Sequence, residues 1–284
     1  MKSDLVLQTD FSLSTGYVAA MYGVIKLVDR ALNAYDLNHE IRAFDVKQAS
    51  ELLKATIPFW PRGTVFVSVV DPGVGTARRG CVALLGNGSY VVTPDNGTLT
   101  ALKDQIVALR QIDETVNRLP GSENGNTFHG RDVFAYCAAR LAAGIIDYNG
   151  VGPAYPLSEL VTYTQNKPEL SKGKAVGEIG GAERHFGGVS FNITAEEFAG
   201  TGIQRGDMTH ITITKGCDRY FDGDVLYHWS FGYVPVGEPI LYNGSTSVYI
   251  SLSLNQRNFV QKYLPDIWDT GVNFSDYKVT ITKK

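Results

Sequence analysis

Apolar positions in the first half of the chain alternate between two rhythms. Asp4 to Thr9 (DLVLQT) is a short, mostly apolar run ending at Thr9-Asp10, which predicts a buried strand. Gly16 to Arg30 then carries Val18, Met21, Tyr22, Ile25 and Val28 at helical spacing. Ala34 to Leu37 reads as a second strand. Asp45 to Ala55 reads as a helix, with Asp45 favouring the positive end of its dipole. Thr64 to Val70 (TVFVSVV) is β-branched and nearly continuous, as an interior strand covered on both faces should be. Cys81 to Leu85 and Tyr90 to Thr93 read as strands joined by the hairpin signal Gly86-Asn87-Gly88. Asp132 to Ala143 is an Ala-rich helix closed by Gly144.

The rhythm changes near Asp147. Tyr148 to Lys174 is rich in Pro, Gly, Ser, Thr and Lys and reads as a linker. Beyond it, short alternating runs such as HFGGVSFNI, MTHITITKG and TSVYISLSL are punctuated by glycine, and no helical pattern returns until Gln256 to Lys262. The pattern predicts an α/β domain with a central, mostly parallel sheet over residues 1–165. A smaller antiparallel β domain, barrel-like or a sandwich, is expected over 166–284.

Composition narrows the function. Of 284 residues, 44% are hydrophobic and 19% charged, enough for substantial cores. A formal net charge of -3 offers no basic face for nucleic acid, so a small, mildly polar ligand is the expected partner. No apolar run approaches the roughly 20 residues needed to span a bilayer, and no leader pattern marks the amino terminus, so a cytoplasmic protein is expected. Cys81, Cys137 and Cys217 are odd in number and widely spaced, against a disulfide framework or a zinc site; all three read as small buried hydrophobes. No two of the five histidines fall at a helical ligand spacing, so no metal is expected.

Candidate chemistry gathers at strand ends. Ligands of open α/β sheets sit beyond the carboxyl ends of strands, and Asp10 and Asp71 follow the predicted strands ending at Thr9 and Val70. Asp95, in TPDNG, reads as a turn aspartate. In DPGVGTARR, Gly73 and Gly75 make a tight loop that places Asp71 near Arg78; no Gly-Lys-Ser/Thr follows, so it is not a Walker loop. His129, in FHGRD at a helix entry, is placed to titrate near neutrality or to orient a water. His39 is a further candidate, whereas His185, His210 and His228 read as structural or surface residues.

These residues resemble the S-adenosylmethionine hydroxide adenosyltransferase family, relatives of the fluorinating and chlorinating adenosyl enzymes. The matching blocks are LQTDF, YVAAMYGVI, NHEIRAFDV, FVSVVDPGVGTARR, TPDNGTLT and TFHGRD, in order across the first domain. The resemblance implies an α/β domain followed by a β-barrel-like domain, and a homotrimer with sites between subunits. The implied reaction is in-line attack of water or hydroxide at the 5′ carbon of S-adenosylmethionine, giving adenosine and methionine. S-adenosylmethionine is then the substrate, and no cofactor is called for.

The family's catalytic Asp-Arg-His trio maps onto Asp71, Arg78 and His129. Halogenating relatives carry an aromatic residue and a tyrosine in place of Asp71 and His129, which disfavours halide-dependent adenosyl transfer. A non-catalytic adenosyl-binding protein, and an enzyme whose second domain has changed substrate to another 5′-substituted adenosine, are further alternatives. By the same resemblance, Asp10 would hold the ribose hydroxyls, and Phe44 and Phe128 would line the ribose and sulfonium region. In the second domain Glu183, Phe186, Asn192 and Phe231 are the implied ligand contacts. The family's Asp-x-x-Phe-Gly-Asn appears here as Glu183 to Gly188, and its Asn-Ser-x-Gly as Ser245-Thr246-Ser247-Val248. Ser12 and Thr15 stand where Gly and Asp are common in the family.

Overall fold

The computed structural model describes residues 2–125, 127–245, 248–269 and 271–284. It divides into two compact units, Met1–Thr164 and Gln165–Lys284.

The first unit begins β1 (Leu5–Thr9), α1 (Tyr17–Val28), β2 (Ala34–Asn38), α2 (Val46–Thr56) and β3 (Val65–Val69). There follow β4 (Gly80–Leu85), β5 (Tyr90–Pro94), β6 (Ile106–Gln111), α3 (Glu114–Asn117), α4 (Tyr136–Ala142) and β7 (Ala154–Tyr155). The sheet order is β2-β1-β3-β5-β4-β6-β7, and β2, β1, β3 and β5 pair in parallel. Every residue of β1 and β3 is buried, which explains their unbroken apolar sequence. Alternation sorts their side chains by face. Leu5, Leu7, Val65, Val67 and Val92 share one core with Met21 and Ile25 of α1 and Cys137 and Ala138 of α4. Val6, Phe66 and Val91 share another with Leu53 of α2 and with Leu99 and Leu102.

This order creates the position that matters for chemistry. From β1 the chain crosses outward to β2, then returns past β1 to β3. The strand order therefore reverses between β1 and β3, the position at which open α/β sheets bind ligands beyond the carboxyl ends of their strands. Thr9 pairs with Val69, so Asp10 and the loop starting at Val70-Asp71 leave the sheet side by side.

Several expectations are corrected. The helix before Gly144 starts earlier, as a π-helical turn over Gly130–Ala135 that runs into α4. The segment read as a linker is partly structured. Within it, β7 pairs with β6, and β8 (Glu169–Ser171) belongs to the second unit. Cys81 and Cys137 are buried, and burial pushes both thiols up to about 12, but Cys217 is exposed.

In the second unit β8 pairs with β9 (Lys174–Ala182), followed by β10 (Val189–Thr194), α5 (Ala195–Gly200), β11 (Met208–Lys215) and β12 (Asp218–Tyr227). The unit ends with β13 (Pro239–Asn243), β14 (Tyr249–Leu254), α6 (Phe259–Tyr263) and β15 (Tyr277–Lys283). Seven strands, in the order β10-β14-β13-β12-β11-β15-β9, close into a barrel through the β9–β10 pairing. Only the short β12–β13 pairing is parallel among the described strands of this unit. Val189, Phe191, Ile193, Ile211, Ile213, Val279 and Ile281 fill the interior from alternate positions, as a small closed barrel requires. No helix among the described residues is long and apolar enough to cross a membrane.

Candidate active site

Two carboxylates and an unusual backbone define the ends of β1 and β3. Asp10 Oδ2 accepts a hydrogen bond from Phe44 N at 2.9 Å. Phe44 has φ 67° and Ser12 φ 58°, a region that costs a residue with a Cβ of order 1–3 kcal/mol. Neighbouring groups hold both. Asp10 anchors Phe44, while Ser12 donates its hydroxyl to Glu40 at 2.7 Å and its backbone N–H to His39 O at 2.8 Å. The family's glycine at position 12 suits the same left-handed backbone. Burial pushes the Asp10 carboxyl up from its usual range. Backbone N–H donors oppose that shift and the charge of Asp71 adds to it.

The loop after β3 brings Asp71 and Arg78 together through its own turn. Thr76 N and Oγ1 both donate to Gly73 O, and Arg78 N donates to Thr76 Oγ1. A Cβ on Gly73 would lie 3.3 Å from Arg78 Cγ, so glycine lets the arginine fold back over the turn. Arg78 Nε donates to Asp71 at 3.1 and 2.9 Å, and Nη2 donates to Oδ2 at 2.5 Å. The pair is almost fully buried, so solvent screens it little.

His129 completes the group from the start of the π-helical turn. The turn packs closely, since a Cβ on Gly130 would lie 3.0 Å from the Phe11 ring. Arg78 Nη2 lies 2.9 Å from His129 Nδ1. A guanidinium only donates, so Nδ1 accepts and a neutral imidazole carries its proton on Nε2. Burial, reinforced by the Arg78 charge, pulls the His129 pKa below its ordinary value and keeps the ring neutral near pH 7. Two buried nitrogens in this group, Arg78 Nη1 and His129 Nε2, have no partner among the described residues. Each carries an N–H, and an unpaired buried donor of this kind costs about 1–3 kcal/mol. Both donors suit an acceptor such as a water-derived oxygen.

Phe128 sits beside this group in an edge-to-face trio, with Phe11 at 5.9 Å and Tyr17 at 5.4 Å between ring centroids. Phe44 is largely exposed. His39 is buried, bonded to Thr9 Oγ1 at 2.9 Å and to Asp36 at 2.8 Å, and so braces the end of β1. Asp95 is more than a turn residue. Its buried carboxylate accepts from Val161 N and the Tyr155 hydroxyl and pairs with Arg79. A strong turn motif concealed that role, because its partners lie far along the chain. Among the described residues, no group of three or more His, Cys, Asp or Glu side chains is placed to hold a metal ion.

The candidates of the second unit behave differently. Glu183 accepts backbone N–H bonds from His185, Phe186 and Gly187, so its carboxylate folds its own loop. Phe186 is exposed at the tip. Gly188 lies where the family motif has asparagine, and a Cβ there would come within 2.5 Å of Ser253 Oγ. Phe231 packs on Tyr242, with 5.0 Å between ring centroids. Asn192 accepts from Glu178 N and donates to Asn166 O, tying an irregular segment ahead of β8 to the barrel. Thr246 and Ser247 lie outside the described residues.

Comparison with known proteins identifies the family. Residues 5–152 match the model of the SAM hydroxide adenosyltransferase N-terminal domain. An (R)-S-adenosyl-L-methionine hydrolase of Salinispora arenicola is 41% identical over 54% of this chain and 58% of its own length, so the chain spans less than two thirds of that relative. An (R)-S-adenosyl-L-methionine hydrolase of Thermus thermophilus is 35% identical over 84% of this chain and 88% of its own. The crystal structure of an uncharacterized conserved protein from Thermotoga maritima superposes with a TM-score of 0.85 at 27% identity, covering 98% of this chain and 99% of that one. The strand-end carboxylates, the Asp71–Arg78–His129 group and these matches together place the chain in the SAM hydroxide adenosyltransferase family.

Proposed function

We propose that this protein hydrolyses S-adenosyl-L-methionine to adenosine and L-methionine, as the names of its relatives suggest, with the (R) epimer as the preferred substrate. The observation that carries the reading is the buried Asp71–Arg78–His129 group, with two donor nitrogens that have no partner among the described residues.

The chemistry asks little of a general acid, because a sulfonium leaves as a neutral thioether. The barrier lies in presenting a poorly solvated water oxygen in line with the C5′–S bond. In this reading Arg78 Nη1 and the His129 Nε2–H donate to that oxygen and stabilise the charge it develops. His129 is a donor here, since its Nδ1 is occupied by Arg78, and the proton of the attacking water passes to Asp71. The C5′–O bond forms as the C5′–S bond breaks, and methionine departs with the sulfur electron pair. Asp10 holds the ribose hydroxyls, and Phe44 and Phe128 present aromatic faces to the sulfonium region, where a cation is favoured. On the barrel, Phe186 and Phe231 serve substrate binding directly, while Glu183 and Asn192 serve it by holding the loop and segment beside them. The proposal includes a cytoplasmic homotrimer that needs no metal or cofactor. Sedimentation at working concentration and activity after chelation test those two parts.

The central test uses the separate (R) and (S) epimers in ¹⁸O-water, with and without chloride. The expected product is adenosine labelled at the 5′ oxygen, formed faster from the (R) epimer. A 5′-chloro nucleoside would assign halide transfer instead, and adenosine binding without turnover would assign a binding protein.

A further inference from the structure

The loop that carries Asp71 and Arg78 leaves the sheet at Val70 and rejoins it at Gly80. Its internal hydrogen bonds shape the middle of the turn, from Asp71 to Arg78. The separation of its two ends is governed from outside, and one turn grips both. Asn96 Nδ2 donates to Val70 O, the carbonyl just before Asp71, at 2.8 Å. Asp95 N donates to Arg79 O, just after Arg78, at 2.9 Å, and the Asp95 carboxylate pairs with the Arg79 guanidinium at 3.2 Å.

The grip is itself held in place. Thr98 donates to Asn96 Oδ1 from its hydroxyl at 2.8 Å and from its backbone at 3.3 Å, so the amide cannot flip without setting oxygen against the Val70 carbonyl. Gly97 has φ +109°, and a Cβ there would lie 3.3 Å from Val46 Cγ1 and 3.4 Å from the Tyr163 ring. Arg79 is further fixed by Glu159 at 2.8 Å and by stacking on Tyr155 at 4.2 Å.

We propose that Asn96, supported by Asp95, is a positioning residue for the reaction: it sets the separation of the loop ends and so the alignment of Arg78 between Asp71 and His129. Its kinetic consequence rests on the hydrolase reading above. The bond of Asn96 is to the Val70 carbonyl and not to Asp71, Arg78 or His129, so its action runs through the loop. A misplacement of order 1 Å in such a constellation costs about 10²-fold in rate.

The test compares Asn96→Asp, Asn96→Ala and Thr98→Val with Ile57→Val. The last is a buried substitution in the same unit, outside the loop and its turn, that controls for lost stability. Asn96→Asp keeps the acceptor for Thr98 but turns an oxygen towards Val70 O. Thr98→Val leaves Asn96 in place and removes the hydroxyl that orients it. Two readouts are taken on each protein: kcat and KM with S-adenosylmethionine, and the ¹⁵N NMR signal of Arg78 Nε–H, which reports the pair with Asp71 without any turnover. The expected result is a kcat lower by about 10–100-fold for both Asn96 variants, with KM within about threefold of wild type. The Arg78 Nε–H signal should move in both. Thr98→Val should show a smaller change of the same kind, and Ile57→Val neither change. Wild-type kcat in both Asn96 variants, an unmoved Arg78 signal, or equal loss in Ile57→Val overturns the proposal. If wild-type protein shows no turnover, the hydrolase reading fails separately, and the Arg78 signal alone decides the positioning claim.

Discussion

The two units treat their polar candidate residues in opposite ways. At the β1–β3 switch of the first unit, Arg78 and His129 are packed out of water, and Arg78 Nη1 and His129 Nε2 have no partner among the described residues. On the barrel, the Glu183 carboxylate closes its own loop and Asn192 ties down a neighbouring segment. A buried donor left unpaired persists only where something else compensates its cost, whereas a satisfied side chain needs no ligand to explain it. Under the hydrolase reading proposed above, the chemistry belongs to the first unit, and the exposed aromatic residues Phe186 and Phe231 are what the barrel offers to binding.

The sharpest way to break the contrast is Arg78→Lys. Lysine keeps the charge but loses the fork that joins Asp71 to His129, and kcat should fall by about 10²–10³-fold while the thermal midpoint changes little. Steady-state kinetics beside a melting curve checks this; wild-type kcat would move the chemistry elsewhere. His129 offers a pH test with a defined sign. Its folded pKa lies below the ordinary 6.5, so the unfolded chain binds the proton first as pH drops. Its contribution to stability is full above the unfolded value and is lost as pH falls from there through the folded one. Activity should fall over the same acidic limb, which a kcat/KM profile would trace and which His129→Asn should flatten.

Asp10 should show the opposite sign. Its raised pKa means that burying the charged form opposes folding at neutral pH and that protonation relieves the cost. Asp10→Asn should therefore raise the thermal midpoint at pH 7 while raising KM by about tenfold or more through the lost ribose acceptor. Calorimetry and kinetics on one preparation separate the two effects. The smallest effect is expected on the barrel. Glu183→Gln keeps an acceptor for the loop N–H groups but removes charge, and should cost about 1 kcal/mol or less of stability with KM changed by no more than about threefold. A much larger rise in KM would show that Glu183 holds ligand directly and would erase the contrast between the units.

Much of this was legible from local pattern. The unbroken apolar runs of β1 and β3, the helical spacing in α1 and the Gly86–Gly88 hairpin each reflect a period or turn chemistry contained in a few neighbouring residues. Asp10, Asp71 and Arg78 were visible because strand ends and glycine turns carry recognisable residues. The strands β6 and β7 were not, since β7 has only two residues and exists through its partner. The role of Asp95 was hidden for a related reason: its turn sequence already accounted for it locally.

What the sequence determined by itself is the set of elements and the residue types at the ends of β1 and β3, because strand period, capping and turn preference act over a few residues. Only the tertiary structure decided the tautomer of His129, the two unpartnered donors, the closing of the barrel through β9 and β10, and the hold of Asn96 on Val70. Each of these depends on groups well separated along the chain, His129 lying 51 residues from Arg78 and Asn96 26 residues from Val70, and no local preference encodes which distant partner burial will supply.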